Sequence, residues 1–173
     1  RYAAFPGSNF DYHLIPFQAV FDAGAASLMA CYSIFPTFLG YDPLGVPSGF
    51  SHGFITGLAK ETMGFSGMVT GDWGTAQGSA YGSLLNLSTS ERAALWLQAG
   101  SHQFGNDPSR FFQEAFDEGL IDESHIDEAA IKILEMTFKL GVFENPYVDV
   151  DAASEIVKGE QASIDGFNAQ KRA

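Results

Sequence analysis

The stretch GFSGMVTGDWG, residues 64–74, places a carboxylate and a tryptophan directly after a short apolar run. Residues 68–70 have the composition of a short buried strand. Asp72 and Trp73 follow, and a glycine stands on either side of this pair. The pattern is typical either of a tight turn that the aspartate caps or of the rim of an active site.

Helix-like and strand-like patterns alternate on both sides of this stretch. Apolar periodicity predicts five helices, at residues 13–24, 54–64, 88–100, 109–119 and 124–143, and three strands, at residues 26–33, 67–73 and 101–105. Alternation of this kind predicts parallel strands joined by crossover helices. Three strands are too few to close a barrel, and a parallel sheet needs cover on both faces. We therefore expect an α/β fold that is a segment of a larger structure.

Three local features refine these elements. Pro16 suits the first turn of the first helix, where its missing N–H is not needed. Ser88 or Ser90 is expected to cap the third helix, with Glu91 in its first turn. The Gly- and Pro-rich loop at residues 34–53 is longer than a plain connector, and loops of that length tend to carry function.

Charge excludes two classes of partner. The 173 residues carry a formal charge of −12 at pH 7 with nine Lys and Arg residues, which form no cluster. Nucleic acids and anionic membrane surfaces are bound by clustered basic residues, so we expect no nucleic-acid partner and no membrane partner. Neutral sugars are compatible with this composition, although it does not select them. The hydrophobic share of 46% suffices for a packed core, and the single cysteine, Cys31, excludes an internal disulfide framework.

Side chains suited to sugar chemistry follow two of the predicted strands. In parallel α/β folds, ligands bind beyond the carboxyl ends of the strands, where residues 29–33 and 71–74 are expected. Asp72 has the chemistry of a nucleophile or of a group that stabilises an oxocarbenium-like transition state. Trp73 offers an aromatic surface on which a sugar ring can stack. The pattern alone leaves open that Asp72 only caps a turn.

Residues 64–74 also resemble the nucleophile segment of glycoside hydrolase family 3, the β-glucosidase family. The usual form of that segment is GF-x-G-x-V-x-SDWG, and Gly71 stands where the family usually has serine. Three further stretches resemble the same family in the right order: HLIPFQAVFDAGAASLMACYS at 13–33, LQAG at 97–100 and IDEAAIKILEMTFKLGVFENPYVD at 126–149. An ordered set of matches is more specific than any single motif.

This resemblance implies a fold and a domain organisation. The family's first domain is a (β/α)8 TIM-like barrel, and residues 1–149 would supply about its last three βα units. Residues 150–173 are polar and would form a linker, with a weak helix, toward a second α/β sandwich domain outside this chain. That second domain usually carries the general acid/base glutamate, so this chain would hold the nucleophile without its acid partner.

The resemblance also implies a function and a set of site residues. The protein would be a retaining glycoside hydrolase, most similar to β-glucosidases, acting on β-glucosides or short oligosaccharides without a metal or organic cofactor. Asp72 would be the nucleophile. Met29 and Tyr32 match positions that line the sugar pocket, and Trp73 is assigned to the pocket wall; for Met29 and Tyr32, packing at the strand end is the alternative. The alternative function is a non-catalytic carbohydrate-binding or scaffold remnant of the same fold.

Three further residues allow weaker interpretations. His102 falls where the family often has an acidic residue, so we expect a hydrogen-bonded structural histidine there. Asp11 and His13 mimic the Asp-x-His acid/base pair of the β-N-acetylglucosaminidase branch. The motif around that pair is missing, however, and His13 runs directly into a predicted helix. We therefore expect His13 to lie at the start of that helix.

Two expectations concern the protein as a whole. A secreted or periplasmic location suits a glycosidase that degrades polysaccharides, although residues 1–7 show no signal peptide. Three parallel strands by themselves would expose an unpaired edge and an apolar face. We therefore expect the isolated polypeptide to be unstable or inactive, and to require the rest of the barrel from the same protein or from another chain.

Overall fold

A computed structural model describes residues 2–5, 7–36, 40–41, 45–79 and 81–172. The chain divides into two compact units, Arg1–Met136 and Thr137–Ala173. Its helices are α1 (Phe10–Asp22), α2 (Thr75–Gly78), α3 (Thr89–Gln98), α4 (Arg110–Asp117), α5 (Glu123–Lys139), α6 (Val150–Val157) and α7 (Glu160–Arg172), with a π-helix at Gly53–Thr62 and 3-10 turns at Ser48–Phe50 and Gly82–Leu84.

One parallel sheet organises the first unit. Its strands, in spatial and chain order, are β1 (Ser27–Ala30), β2 (Met68–Trp73) and β3 (Gln103–Gly105). Ser27 lies opposite Met68, and Ala30 lies opposite Gly71. Helical segments connect each strand to the next, so the predicted alternation of parallel strands and crossover helices is confirmed.

The first strand is shorter than its sequence pattern predicts. It ends at Ala30 rather than at residue 33. Beyond that point the carbonyls of Cys31 and Ser33 accept hydrogen bonds from Ser48, from its hydroxyl at 3.0 Å and from its backbone N–H at 3.1 Å. The chain therefore leaves the sheet because a neighbouring turn satisfies its backbone groups.

Helix α1 begins earlier than predicted, and this corrects the role of Pro16. The helix starts at Phe10, so Pro16 lies inside it and not in its first turn. A proline inside a helix leaves the carbonyl four residues earlier, here that of Tyr12, without its helical donor. The buried Phe10 ring packs against Phe5 and Phe54, with ring centroids 5.1 and 6.2 Å away. This packing holds the additional N-terminal turn in place.

The predicted cap of α3 is confirmed at Ser88. Its Oγ accepts a hydrogen bond from the Glu91 N–H at 3.1 Å, and Glu91 Oε2 accepts one from the Ser88 N–H at 2.7 Å. This reciprocal pair is a complete capping box. Ser90, the alternative cap, instead donates to Glu118 Oε2 at 2.8 Å.

The helix predicted at residues 54–64 is present, but it is wound as a π-helix. Its hydrogen bonds span five residues, as in the bond from the Met63 N–H to the Leu58 carbonyl at 2.9 Å. Thr62 Oγ1 reinforces this spacing by donating to the Gly57 carbonyl at 2.7 Å. Apolar spacing in the sequence does not distinguish this winding from an α-helix.

The core lies against one face of the sheet. Val69 of β2 and Trp96 of α3 are both fully buried. The Trp96 ring packs against Phe50 and against Phe104 of β3, with ring centroids 5.3 and 5.4 Å away. These contacts hold α3 and the turn at Ser48–Phe50 against one face of the sheet.

The other face of the sheet is open in the described part of the chain. Met29, Thr70 and Gln103 lie side by side in the strand register. Met29 is 60% exposed, Gln103 is exposed and Thr70 is half-buried. Because parallel sheets are normally covered on both faces, this arrangement fits the expectation of a segment of a larger fold.

The second unit contains two helices beyond the end of α5. The sequence predicts one weak helix in residues 150–173, whereas the structure has both α6 and α7 there. Asp149 caps α6 by accepting a hydrogen bond from the Ala152 N–H at 2.9 Å. The linker role of this region stays a prediction. Among the described residues, every helix is too short or too polar to cross a bilayer.

Candidate active site

The candidate site is formed where the three parallel strands end. β1 is followed by Tyr32, β2 ends in Asp72 and Trp73, and β3 is followed by Asn106 and Asp107. Because the strands are parallel and adjacent, all of these residues lie at the same edge of the sheet. This is the edge at which α/β folds bind ligands.

Asp72 is half-buried at the end of the central strand. Its Oδ1 accepts a hydrogen bond from the Trp73 N–H at 2.6 Å. Its backbone carbonyl accepts one from Thr75 Oγ1 at 2.5 Å. The side chain and the main chain of this residue are therefore both held by the turn that follows it.

A β-bulge lies between Thr70 and Trp73, at Gly71 and Asp72. Thr70 pairs with Gln103 and Trp73 pairs with Gly105. Between these pairs, β2 therefore has one more residue than β3. Bulges bend a strand and re-aim a side chain, and they are frequent beside active sites. A side chain at position 105 would overlap the backbone carbonyl of Asp72, so the bulge requires glycine there.

Asp107 fixes the turn that follows the bulge. Its two carboxylate oxygens accept hydrogen bonds from the N–H groups of Ala76 and Gln77, each at 3.0 Å. Gly74, in the left-handed conformation with φ of 64°, donates its N–H to the Gly105 carbonyl at 2.6 Å. The end of β3 and Asp107 thus hold the segment after β2, including the start of α2, through three hydrogen bonds.

Arg92 supports the same turn from inside the protein. It is buried on α3, and its Nη1 donates to the Ala76 carbonyl at 2.5 Å while its Nη2 donates to the Leu87 carbonyl at 2.7 Å. Burial lowers the pKa of Arg92 from its ordinary value, and the Asp107 and Glu91 carboxylates oppose that shift.

Tyr32 and Trp73 are brought together at the strand ends. The Tyr32 hydroxyl donates a hydrogen bond to the Trp73 carbonyl, and the Tyr81 hydroxyl donates one to the Tyr32 carbonyl. The side chain of Trp73 is 73% exposed. The segment after β1 is thereby hydrogen-bonded to the backbone of Trp73, the residue that follows Asp72. The indole ring of Trp73 remains exposed to solvent.

Met29 also contributes to a different feature, an apolar cavity of about 340 Å³ between α1, β1 and the π-helix. Among the described residues, the cavity lining includes Met29 and His13 but not Tyr32, Asp72 or Trp73. His13 is the fourth residue of α1, close to its predicted place at the helix start, and its ring centroid lies 5.5 Å from that of Phe5. His13 is therefore an exposed residue of the helix whose ring contacts Phe5.

The opposite edge of the sheet holds His102, the expected structural histidine. Its Nδ1 accepts a hydrogen bond from the Val69 N–H at 2.8 Å, and its Nε2 lies 3.2 Å from Lys60 Nζ and 3.8 Å from Glu128 Oε1. Burial, reinforced by the charge of Lys60, lowers the pKa of His102 to about 4. The expectation of a hydrogen-bonded structural role is confirmed.

Sequence reasoning missed Thr75, Asp107 and Arg92. Asp107 stands in the turn-forming run Asn106-Asp107-Pro108, which was a usable signal for a residue that caps backbone groups. Arg92 has the pattern of a solvated helix position, and its burial follows only from tertiary packing. Among the described residues, no three or more His, Cys, Asp or Glu side chains are grouped so as to hold a metal ion.

Comparison with known proteins gives a consistent picture. Residues 8–136 match the family described as Glycosyl hydrolase family 3 N terminal domain. The chain is 35% identical over 179 residues to a probable beta-glucosidase C of Aspergillus oryzae, covering 98% of this chain and 28% of that protein. It is 30% identical over 179 residues to a periplasmic beta-glucosidase/beta-xylosidase of Dickeya chrysanthemi, covering 91% of this chain and 27% of that protein.

A solved structure extends this likeness to the fold. A β-glucosidase involved in saponin metabolism from intestinal bacteria is 26% identical and superposes with a TM-score of 0.73, over 86% of this chain and 19% of that one. The predicted α/β fold, a segment of a TIM-like barrel, is thereby confirmed. The chain spans about 28% of the length of the Aspergillus relative.

Proposed function

This chain belongs to glycosyl hydrolase family 3, and we propose that it supplies the catalytic nucleophile, Asp72, of a retaining β-glucosidase. The observation that carries this proposal is a half-buried carboxylate on a bulge at the carboxyl end of β2, beside the exposed ring of Trp73. Catalytic groups of (β/α)8 barrels come from this end of the strands. The names of the Aspergillus and Dickeya relatives support the reaction class.

The proposed reaction has two displacement steps. In the first, a carboxylate oxygen of Asp72 attacks the anomeric carbon of a β-glucoside, and the bond from that carbon to the leaving oxygen breaks. A carboxylic acid outside this chain donates its proton to the leaving oxygen. In the second, water attacks the same carbon, gives a proton to that outside carboxylate and releases Asp72. Two inversions retain the β configuration.

The neighbouring side chains are proposed to bind the sugar. The exposed Trp73 ring offers a stacking surface for a sugar ring. Tyr32 adds a second ring at the adjacent strand end, and its hydroxyl holds the backbone of Trp73. Met29, 60% exposed on the open face of the sheet, is proposed as an apolar wall of the same pocket.

We further propose that the open face and edges of the sheet are completed by the rest of the barrel. Residues 1–149 would then belong to the barrel domain and residues 150–173 to a linker toward a second domain that carries the acid/base group. The share of the Aspergillus relative that this chain covers, 28%, supports additional domains. A location outside the cytoplasm suits this activity, as in the periplasmic Dickeya relative.

Covalent trapping tests the nucleophile directly. A 2-deoxy-2-fluoro-β-glucoside with a good leaving group is incubated with the complete protein that contains this segment, and the labelled peptide is mapped by mass spectrometry. We expect the label on Asp72, and no label in an Asp72→Asn variant that is folded normally. A label on another peptide contradicts the assignment. A folded, complete protein that neither labels nor turns over glucosides supports the non-catalytic alternative.

A further inference from the structure

The space beside Gly71 is filled by the hydroxyl of Thr75. A Cβ on residue 71 would lie 2.6 Å from Thr75 Oγ1, closer than side-chain carbon atoms approach such groups. It would also lie 3.3 Å from the Gly105 N and 3.3 Å from Thr75 Cβ. The glycine before the proposed nucleophile and the threonine after it are therefore sterically coupled.

The same hydroxyl holds the main chain of Asp72. Thr75 Oγ1 donates to the Asp72 carbonyl at 2.5 Å, and Thr75 is only 4% exposed. On another side, the carbonyl of Asp72 lies against the backbone of Gly105, where no side chain fits. The carbonyl is thus confined between a hydroxyl and a neighbouring strand, within the bulge between Thr70 and Trp73.

We infer that Thr75 is a positioning residue for the nucleophile and that it can act only because residue 71 is glycine. This inference rests on the proposed role of Asp72. Holding the carbonyl fixes the rotation of the Asp72 backbone and, with it, the direction of the carboxylate toward the anomeric carbon. Misplacement of a reacting atom by about 1 Å costs on the order of 100-fold in rate, so one backbone hydrogen bond matters here.

The first test removes the hydroxyl and keeps the shape. In the complete protein, Thr75→Val is compared with Thr75→Ser by the rate constant and the binding constant for inactivation by the 2-fluoro glucoside. We expect Thr75→Val to lower the rate constant about tenfold with the binding constant unchanged within about twofold, and Thr75→Ser to recover most of the rate. Equal rate constants for wild type and a folded Thr75→Val variant overturn the inference.

A matched control separates positioning from general stability. Thr56 makes the same kind of bond far from the site, from its Oγ1 to the Ala99 carbonyl at 3.0 Å. Thr56→Val should lower the thermal midpoint without changing the inactivation rate constant. If Thr56→Val lowers that rate constant as much as Thr75→Val does, the effect is not one of positioning and the inference fails.

The second test uses the steric coupling and remains informative if Thr75→Val folds poorly. Gly71→Ala should lower the inactivation rate constant at least about tenfold because the new methyl group displaces the Thr75 hydroxyl. In the double variant Gly71→Ala/Thr75→Ala the loss should be no larger than in Thr75→Ala alone. Strictly additive losses contradict the coupling.

The two proposals fail in different ways. A label that maps to a residue other than Asp72 overturns the proposed function itself. A label on Asp72 whose rate of formation does not depend on Thr75 overturns only the positioning role.

Discussion

The two edges of the same three-stranded sheet are built in opposite ways. At the carboxyl edge, Asp72 is half-buried, Trp73 is exposed, and the Thr75 hydroxyl donates a hydrogen bond to the Asp72 carbonyl. At the amino edge, His102 is buried and its ring bonds the backbone N–H of Val69. Two residues of one strand, Val69 and Asp72, thus belong to very different environments.

This difference in burial means that the carboxyl edge is suited to binding a substrate and the amino edge to stabilising the fold. A partly exposed carboxylate can reach a substrate, and its geometry depends on backbone support rather than on burial. A buried imidazole held on one nitrogen by the backbone stabilises the strand start, but its uptake of a proton opposes folding. In (β/α)8 barrels, residues at the carboxyl ends of the strands usually carry the catalysis, whereas residues at the amino ends usually contribute to stability. Four substitutions test whether this division applies here.

The largest effect is expected at Asp72. Asp72→Asn should reduce kcat/KM at least about 1000-fold, equal to roughly 4 kcal/mol of transition-state stabilisation. The thermal midpoint should change little, because the amide keeps an oxygen for the Trp73 N–H. Glucoside hydrolysis and thermal unfolding of the complete protein measure both. Asp117→Asn, on the exposed face of α4, is the matched control and should leave both values unchanged. Unchanged turnover in Asp72→Asn would contradict the assignment of catalysis to the carboxyl edge.

The next effect concerns pH and His102. Burial and Lys60 hold the pKa of His102 at about 4, below its ordinary 6.5, so the unfolded chain binds a proton there that the folded chain does not. The stability that depends on neutral His102 is therefore fully present above pH 6.5 and is lost as the pH falls toward 4, by about 3 kcal/mol. Urea unfolding across this range measures it.

A variant isolates this contribution of His102. His102→Asn can still accept the Val69 hydrogen bond but does not titrate, so the difference in unfolding free energy between wild type and variant should shrink as the pH falls. Glu128, 3.8 Å from the ring, opposes the shift. Thr56→Val, which removes the hydrogen bond to the Ala99 carbonyl and changes no titratable group, serves as the control and should give a difference independent of pH. A pH-independent difference for His102→Asn would contradict the assignment of the amino edge.

A smaller effect is expected at Asp107, which bonds two N–H groups in the turn behind Asp72. Asp107→Ala should cost about 1–2 kcal/mol of stability, as loss of a helix cap does, and should also lower kcat severalfold. Asp149→Ala removes a comparable cap from α6 and should leave kcat unchanged. Equal kcat values for the two alanine variants would show that the turn does not support the site.

The smallest effect is expected at Trp73. Trp73→Ala should raise KM about fivefold, close to 1 kcal/mol, because the stacking surface is lost, while the thermal midpoint of this exposed residue stays constant. Trp73→Phe keeps an aromatic face and should recover part of the affinity. Steady-state kinetics with a small β-glucoside distinguishes wild type from the two variants. Identical KM values would contradict a role for Trp73 in binding the sugar.

The sequence was most informative where local patterns decide structure. The three strands, a serine cap for α3 with Glu91 in its first turn, and the position of Asp72 at a strand end follow from residue types at fixed spacings. Hydrophobic periodicity and capping act within a few residues, so they can be recognised without knowledge of the rest of the chain.

Features set by distant contacts were not predictable. Pro16 lies inside α1 because Phe10 packs against rings from other segments, and this outweighs the preference of proline for a first turn. The bulge at Asp72 depends on β3, about 30 residues later in the sequence. The support by Asp107 and Arg92 likewise joins segments whose proximity only the folded sheet creates.

The bulge has a consequence for the order in which this protein acquires its chemistry during synthesis. The bulge beside Asp72 pairs with Gly105, and the segment after it is bonded by Asp107; both residues leave the ribosome after Asp72. A nascent chain that ends before β3 therefore contains the proposed nucleophile but lacks these contacts. If Asp72 is the nucleophile, the later strand must dock before the group supplied from outside this chain can act with it, so chains that end before β3 should remain unreactive toward glycosides even where β1 and β2 have paired.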